Sequence, residues 1–338
     1  MFIVNSYALA VFFCFITMLC WGSWANTQKI AAKTWRFELF YWDYVLGMLL
    51  FSILIGFTMG SIGNKGMGFI ESISQASLSS IINPIIGGII FNLSNILLVA
   101  AIAIAGMAIA FPVGVGLCMV LGVLINYIAT PKGDAVLIFV GVGIVMIAII
   151  LDALAYRKLS VIKKKTPTKG IVLSLVAGVL MAWFFRFIAI AIANDPEATA
   201  PGMAEAGKLT PYAAFLFFSI GVVVSNFLFN TYLMKKPVEG EPVTFKQYFQ
   251  GNFRSHFSGL IGGMVWALGT AFSLLAASKA GYAISFGLGQ CATMIGALWG
   301  VFIWKEFKGA NKSVYALLVM MFVLFAAGLA MIILAGNK

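Results

Sequence analysis

Few side chains in this sequence are suited to chemistry, and the most telling are amides inside apolar segments. Asn92 and Asn95 lie three residues apart, so a helix places them on one face. Gln290 lies near the middle of a later apolar segment. Carboxamides offer hydrogen-bond donors and acceptors to a hydroxyl- or amide-bearing solute. Hydrogen bonding between helices is the alternative role for each of them.

Tryptophans form the second group of candidate binding residues. Trp21 and Trp24 are also three residues apart, and Trp183 and Trp266 lie in other apolar segments. Indole rings stack against sugars and heterocycles, which predicts a binding role. Anchoring at the membrane interface is the alternative.

Charged groups inside apolar segments are costly and mark candidate pathways. Asp43 is the candidate to carry a proton, and an interfacial acid paired with a nearby base is the alternative. Arg186 either binds the solute, pairs with a carboxylate or extends to the outer interface. Lys279 precedes a tight turn, where it serves the ligand or a gate, or simply lies near the interface. We read Asp152 as an interfacial ion pair.

Enzymatic and nucleotide-binding motifs are missing from the sequence. It has no H-E-x-x-H, G-x-S-x-G or G-x-x-x-x-G-K-[ST] element, and His256 is its only histidine. The four cysteines lie in apolar segments and imply neither a disulfide nor a metal site. The net charge of +11 is spread over connections instead of forming a stripe, which argues against nucleic acid. We therefore expect no catalysis, no cofactor and no metal.

The elements that position these residues are membrane-spanning helices. The chain is 62% hydrophobic and 10% charged, too apolar to cover a soluble globule. A spanning helix needs about 20 apolar residues. Such stretches cover residues 8–26, 39–60, 81–105, 108–128, 135–155, 171–193, 212–234, 257–277, 280–304 and 313–335. The sequence thus predicts an all-α protein embedded in the lipid bilayer, and a short interfacial helix at 69–77.

An internal repeat divides the spans into two sets of five. Residues 87–126 match residues 262–301 without a gap, for example Gly87 and Gly88 with Gly262 and Gly263. The mismatches are also informative: Asn95 falls on Thr270, which adds Thr270 to the candidate binding residues. Repeats of opposite topology create a binding site at their interface in secondary transporters. We predict a first repeat at 1–156, a basic cytoplasmic linker at 157–169 and a second repeat at 170–338.

Orientation follows from the basic residues. Lysine and arginine concentrate in the first, fifth, seventh and ninth connections, including the run Lys163-Lys164-Lys165. The opposite connections and the C-terminus hold only Lys65, Lys132, Lys208 and Lys338. The positive-inside rule then predicts that both termini are extracytoplasmic. The expected location is the inner cell membrane.

One stretch resembles a known superfamily. Residues 276–282, with Lys279 at the turn, and residues 298–306, ending in Glu306, resemble the ninth-helix pattern of the drug/metabolite transporters. Within that superfamily, the chain is most similar to the branch of ureide permeases, glucose/ribose uptake proteins and the rhamnose-proton symporter. Trp42-Asp43-Tyr44, Ala280-Gly281-Tyr282 and Trp299-Gly300 carry the similarity to the ureide permeases.

The resemblance implies ten helices in two inverted five-helix repeats, a central cavity, and proton-coupled uptake of a neutral polar solute. Amides and indoles favour a sugar, a nucleobase or nucleoside, or a ureide as that solute. An exporter of amphipathic compounds is the alternative, since 14% aromatic residues and 16 methionines make an adaptable surface. A non-transporting membrane assembly factor is a further alternative.

Overall fold

The computed structural model describes residues 1–31, 34–63, 65–105, 107–159, 168–195, 205–238 and 240–337, apart from the side chains of 107–109 and 111. Regular structure in these ranges is helical, and the only β-type pairing described is an isolated bridge between Ile192 and Leu209. Ten of the described helical segments are long and apolar enough to cross a membrane. The ten predicted spans are therefore confirmed.

The first five spans are built as follows. Helices α1 (Tyr7–Ser23) and α2 (Ala25–Ala31) form the first span, and α3 (Phe37–Phe57) the second. The short helix predicted at 69–77 is present in a shorter form as α4 (Phe69–Ser74). Then follow the three remaining spans, α5 (Leu78–Ala105), α6 (Met107–Ala129) and α7 (Ala135–Leu159).

The second five spans begin with α8 (Thr168–Ala191) and α9 (Pro211–Lys235). A single turn, α10 (Phe245–Phe249), precedes α11 (Phe253–Ala280). The ninth span consists of α12 (Tyr282–Gln290), α13 (Ala292–Leu298) and a π-helical turn (Trp299–Ile303), and α14 (Lys312–Ala335) is the tenth. Of the predicted linker, residues 160–167, with their lysine run, lie outside the described residues, as does Gly106 in the joint between α5 and α6.

Helix ends are set by local sequence. Ser6 accepts a hydrogen bond from the Leu9 amide and begins α1, and Thr210, followed by Pro211, begins α9 in the same way. The turn between α11 and α12 is a single residue, Gly281, with φ +87°. A residue with a side chain there would adopt a strained backbone and meet Lys132.

Close helix crossings occur at repeat-related glycines. A Cβ on Gly88 of α5 would lie 2.1 Å from the Phe218 carbonyl oxygen of α9, and one on Gly263 of α11 would lie 1.9 Å from that of Tyr44 on α3. Only glycine permits backbones to approach so closely. The matched glycines of the sequence repeat thus make matched helix contacts.

Helix pairing has the same pattern on a larger scale. Helix α5 of the first half packs against α8 and α9, while α11 of the second half packs against α1 and α3. Helix α7 packs against α14, where Gly141 and Gly328 meet. The third span of each half therefore packs against the first two spans of the other half, which is consistent with the predicted inverted repeat.

The ninth span departs from this symmetry. Its helix is interrupted at Cys291, immediately after Gln290, whereas the repeat partner α6 runs through Val115 without a break. The backbone tightens here into a turn in which the Cys291 amide donates to the Leu288 carbonyl oxygen over 3.1 Å. Interruptions of this kind within a spanning helix often occur at functional sites that line a cavity. The break therefore points to the site.

Candidate functional site

A cavity of about 600 Å³ lies between the two halves. It extends from Phe91 and Gln290 in the middle of the bundle to Lys29 and Glu306 at one end. We call this the basic end, because α9 finishes there at Lys235 and α3 begins there after Arg36. Pockets of a few hundred Å³ accommodate small organic solutes.

Aromatic rings form the inner wall of the cavity. Trp21 of α1 and Trp266 of α11 stack with ring centroids 5.9 Å apart and planes 14° apart. Phe91 of α5 lies 4.5 Å from Trp266, and Phe184 of α8 lies 5.2 Å from Phe91. Four helices from both halves thus contribute to one aromatic surface. Such a surface suits a planar, uncharged solute.

Trp21 is held in place by Thr270. The indole N–H of Trp21 donates to Thr270 Oγ1 over 3.1 Å, and that hydroxyl donates to the Trp266 carbonyl oxygen over 3.1 Å. Thr270 is fully buried and does not line the cavity. Its contribution is to connect the two stacked tryptophans. Trp24, the other tryptophan of the first span, lines the cavity and lies 4.8 Å from the ring of Tyr44.

Two amides line the cavity with unused hydrogen-bonding capacity. The side chain of Gln290 contacts no hydrogen-bond partner among the described residues. Asn95 donates from Nδ2 to Tyr41 Oη over 3.0 Å, and its Oδ1 accepts from no described residue. The Gln290 amide nitrogen can therefore donate to a ligand, and the Gln290 Oε1 and Asn95 Oδ1 atoms can accept from one.

Asn92 does not line the cavity, although it is three residues from Asn95. It accepts from Tyr41 Oη over 2.9 Å and donates to Ser225 Oγ over 2.9 Å and to the Val222 carbonyl oxygen over 3.2 Å. The side chain is fully buried between α3, α5 and α9. Tyr41 thus connects the two asparagines, one facing the helix interface and the other the cavity.

An ion pair joins the two halves at the mouth of the cavity. Lys29 of α2 pairs with Glu306, and Tyr156 Oη donates to Glu306 Oε2 over 2.7 Å. The Lys29 ammonium also lies 4.4 Å above the Trp304 ring. Burial raises the pKa of the Glu306 carboxyl, but the hydrogen bonds from Lys29 and Tyr156 and the charge of Lys29 outweigh it, so the net pKa is lowered.

Asp152 of α7 also lines the cavity near its mouth. Its Oδ1 is enclosed and has no hydrogen-bond partner. No basic side chain among the described residues pairs with it, which differs from the predicted interfacial ion pair.

Asp43 lies outside the cavity lining, at the basic end. Its Oδ1 accepts from Tyr248 Oη over 2.7 Å and lies 2.9 Å from His256 Nδ1. Burial, reinforced by the hydrogen bond to Asp43 and its charge, raises the pKa of Tyr248. This cluster fastens the connection between α9 and α11 to α3.

The remaining candidates lie toward the other end of the bundle or on its surface. Trp183 is 44% exposed and faces away from the cavity. Arg186 lies 3.5 Å from Thr130 Oγ1. Burial lowers the pKa of Lys132, and the nearby positive charge of Lys279 lowers it further. Five of the predicted binding residues therefore line the cavity, namely Trp21, Trp24, Asn95, Trp266 and Gln290.

Sequence reasoning did not select several cavity residues. Phe91 and Phe184 carried no distinguishing signal among 30 phenylalanines. Lys29 falls in a predicted connection and Tyr156 just after a predicted span. Neither stands out in the sequence, because Glu306, the partner of both, is distant along the chain. Asp152 carried a usable signal, since it was one of two carboxylates within predicted spans.

Known proteins match this chain over most or all of its length. The family model described as Ureide permease matches residues 40–160 and 155–335. Ureide permease 4 of Arabidopsis thaliana is 22% identical and covers 100% of this chain and 99% of its own length. Ureide permease 1 of Arabidopsis thaliana and Probable ureide permease A3 of Vigna unguiculata are each 21% identical, covering 100% and 93% of this chain.

A solved crystal structure has the same fold, with a TM-score of 0.62, 15% identity and coverage of 96% of each chain. Full-length similarity to permeases, together with ten apolar helices, indicates a multi-pass membrane transporter rather than an enzyme. The chain belongs to the ureide permease family.

Proposed function

We propose that this protein is a secondary active transporter that carries a ureide, or a related small neutral polar solute, by alternating access. The observation that carries the proposal is the cavity itself. It combines stacked Trp21 and Trp266 with the unpartnered amide of Gln290 at a helix break. A ureide presents urea-type N–H and C=O groups, which match a carboxamide donor for acceptor. Nucleobases carry the same N–H and C=O groups on a planar ring and are the alternative class of solute, whereas sugars offer hydroxyl groups without a planar face.

The charge distribution supports a neutral solute. At the mouth, Lys29 and Glu306 neutralise one another, and Asp152 is the remaining charged residue of the lining. The inner wall around Phe91, Gln290 and Trp266 carries no charge. A charged solute would lose its hydration there without gaining a counter-ion.

Access to the cavity supports alternation. The cavity extends to the basic end, while on the other side the rings of Phe184, Phe185 and Phe286 pack between it and the opposite end. Phe185 and Phe286 are fully buried. Alternating access would then consist of closing the halves at Lys29 and Glu306 and separating them at this phenylalanine layer.

The orientation, the direction and the coupling belong to the same proposal. We place the basic end in the cytoplasm and both termini outside the inner membrane, on the positive-inside bias. We also place the fold in the drug/metabolite transporter superfamily, with two inverted repeats at 1–156 and 170–338, and propose uptake driven by protons. Asp43 is the proton carrier predicted from sequence, and its carboxylate contacts Tyr248 and His256 outside the cavity lining.

The test combines binding with transport. Purified protein is heated with allantoin as the ureide, a nucleobase, a hexose and an amphipathic cation, because a ligand that binds only the native state raises its melting temperature. Counterflow of radiolabelled allantoin into preloaded proteoliposomes then measures exchange. We expect stabilisation and counterflow with the ureide. Stabilisation by the cation, with efflux alone, would instead identify an exporter, and no stabilisation by any compound would favour an assembly factor.

A further inference from the structure

Asp152 is the one carboxylate in the cavity wall that the surrounding chain leaves unbalanced. Glu306 is paired with Lys29, Glu38 with Arg36 over 2.7 Å, and Asp43 with His256 over 2.9 Å. Asp152 has no such partner among the described residues, and its Oδ1 is enclosed without a hydrogen bond.

Physical chemistry restricts what such a group does. An isolated carboxylate away from water costs several kcal/mol, so it either gains a counter-ion or takes up a proton. The described neighbours offer no counter-ion. Glu306, the other carboxylate of the cavity lining, has a charge of the same sign, which disfavours a second negative charge beside it.

The elements packed against α7 do not change this balance. Helix α6 carries no acidic or basic residue, and its titratable groups are Cys118, which is buried, and Tyr127, which bonds to Gly133 at the opposite end. In α14, Lys312 stands at the first residue, is exposed and forms no ion pair with Asp152, and Tyr315 donates to the Phe307 carbonyl oxygen.

Two titratable groups of the cavity lining stand near the mouth, Lys29 of α2 and, on α7 itself, Tyr156. The basic residues that follow on α7, Arg157 and Lys158, are exposed, and Lys158 donates to Ser313 Oγ over 3.3 Å. Lys29 is engaged by Glu306, and Tyr156, one helical turn from Asp152, donates its hydroxyl proton to the same carboxylate. None of these basic groups forms an ion pair with Asp152.

We propose that Asp152, and not Asp43, which lies outside the cavity lining, is the proton-binding group that couples transport to the proton gradient, an inference that rests on the proposed function. In the outward-facing form, a proton from the external water binds a carboxylate oxygen of Asp152 to give a neutral acid. In the inward-facing form, the acid returns that proton to water at the basic end, through the mouth beside Tyr156 and Glu306. Closure of the occupied cavity removes the remaining water, so it requires the neutral form.

The experiment compares Asp152→Asn, which fixes the neutral state, with Glu71→Gln, an exposed acid on α4 outside the cavity. Each protein is reconstituted, and allantoin is followed in two assays: counterflow at equal pH, and accumulation under a one-unit pH gradient. One proton per solute supports about tenfold accumulation under that gradient. We expect Asp152→Asn to retain counterflow and to reduce the accumulation ratio to about one, whereas Glu71→Gln accumulates like the wild type.

Tenfold accumulation by Asp152→Asn would overturn the assignment and leave the transport function standing. Absence of allantoin counterflow in the wild type would overturn the transport function itself. Should Asp152→Asn fail to fold, wild-type protein is treated with dicyclohexylcarbodiimide, which reacts with protonated carboxyl groups, and the adduct is located by mass spectrometry. An adduct on Asp152 supports the proposal, and its absence while other acids react overturns it.

Discussion

Trp21 and Trp266 come from opposite halves of the chain, yet their rings stack with centroids 5.9 Å apart and planes only 14° apart. The two helices that carry them, α1 and α11, pack directly against each other. A solute held against this pair therefore contacts both halves at once. Any relative movement of the halves changes its binding surface.

Replacing Trp266 by Ala should weaken ureide binding about tenfold, because loss of a stacking ring costs about 1.4 kcal/mol. Trp266→Phe should lose less, since it keeps a ring at the same place. Isothermal titration with allantoin measures both. Trp183→Ala is the matched control, because Trp183 is 44% exposed and outside the cavity. An equal loss in the control would contradict the placement of the site.

Truncating Gln290 tests the polar part of the site. Its amide has no described partner in the protein, so Gln290→Ala should leave the melting temperature of the free protein nearly unchanged. Ureide affinity should fall by up to about tenfold, since a hydrogen bond contributes about 1 kcal/mol. The control is Gln250→Ala at the end of α10, outside the cavity. Undiminished affinity in Gln290→Ala would remove this residue from the site.

Breaking the ion pair at the mouth should widen access to the cavity. The Lys29 side chain is 44% exposed, so water screens the pair and its contribution to stability is about 1 kcal/mol or less. We expect Glu306→Gln to fold normally and to increase acrylamide quenching of tryptophan fluorescence. The exchanged pair Lys29→Glu with Glu306→Lys should reverse part of that increase. Unchanged quenching in Glu306→Gln would show that the pair does not restrict the mouth.

The pH response of the mouth has a definite sign. Because the net pKa of Glu306 lies below its usual 4.5, the ion pair is intact at neutral pH and is lost only as the pH falls through that lowered value. Quenching of the wild-type protein should therefore stay constant from neutral pH to about pH 5 and rise in stronger acid. A rise near neutral pH would assign the titration to another group.

Crossing glycines should be intolerant of a single methyl group. A Cβ at Gly263 would lie 1.9 Å from the Tyr44 carbonyl oxygen, so Gly263→Ala must separate α3 from α11. Overpacking of this kind costs about 1–3 kcal/mol, which should lower the melting temperature by several degrees. Gly88→Ala should behave alike. Gly143→Ala is the control, since nothing lies within 4 Å of its added Cβ. Equal melting temperatures for the Gly263 and Gly143 variants would contradict the crossing.

Much of the fold was predictable from sequence, because span length is set by the thickness of the bilayer and is visible as apolar run length. The turn at Gly281 and the paired crossings at Gly88 and Gly263 were also predictable, since small residues recur at the same offset in both halves. The break at Cys291 was not, because an interrupted apolar run has the same composition as a continuous one.

The site was only partly predictable for a related reason. Asn92 and Asn95 share a helix face, yet the partner Tyr41 lies on another helix and decides which amide reaches the cavity. Lys29 meets Glu306 across most of the chain, and no local pattern encodes that contact. Residue type indicates which groups are capable of binding, whereas tertiary packing selects those that do.

The interruption after Gln290, set against the unbroken α6, also bears on how the carrier operates in the two directions. Halves of unequal shape give inward- and outward-facing forms of unequal free energy. We therefore expect different half-saturation concentrations for the solute on the two sides of the membrane. The final concentration ratio stays fixed by the driving gradient alone, so the asymmetry sets the working range of each face and not the limit of accumulation.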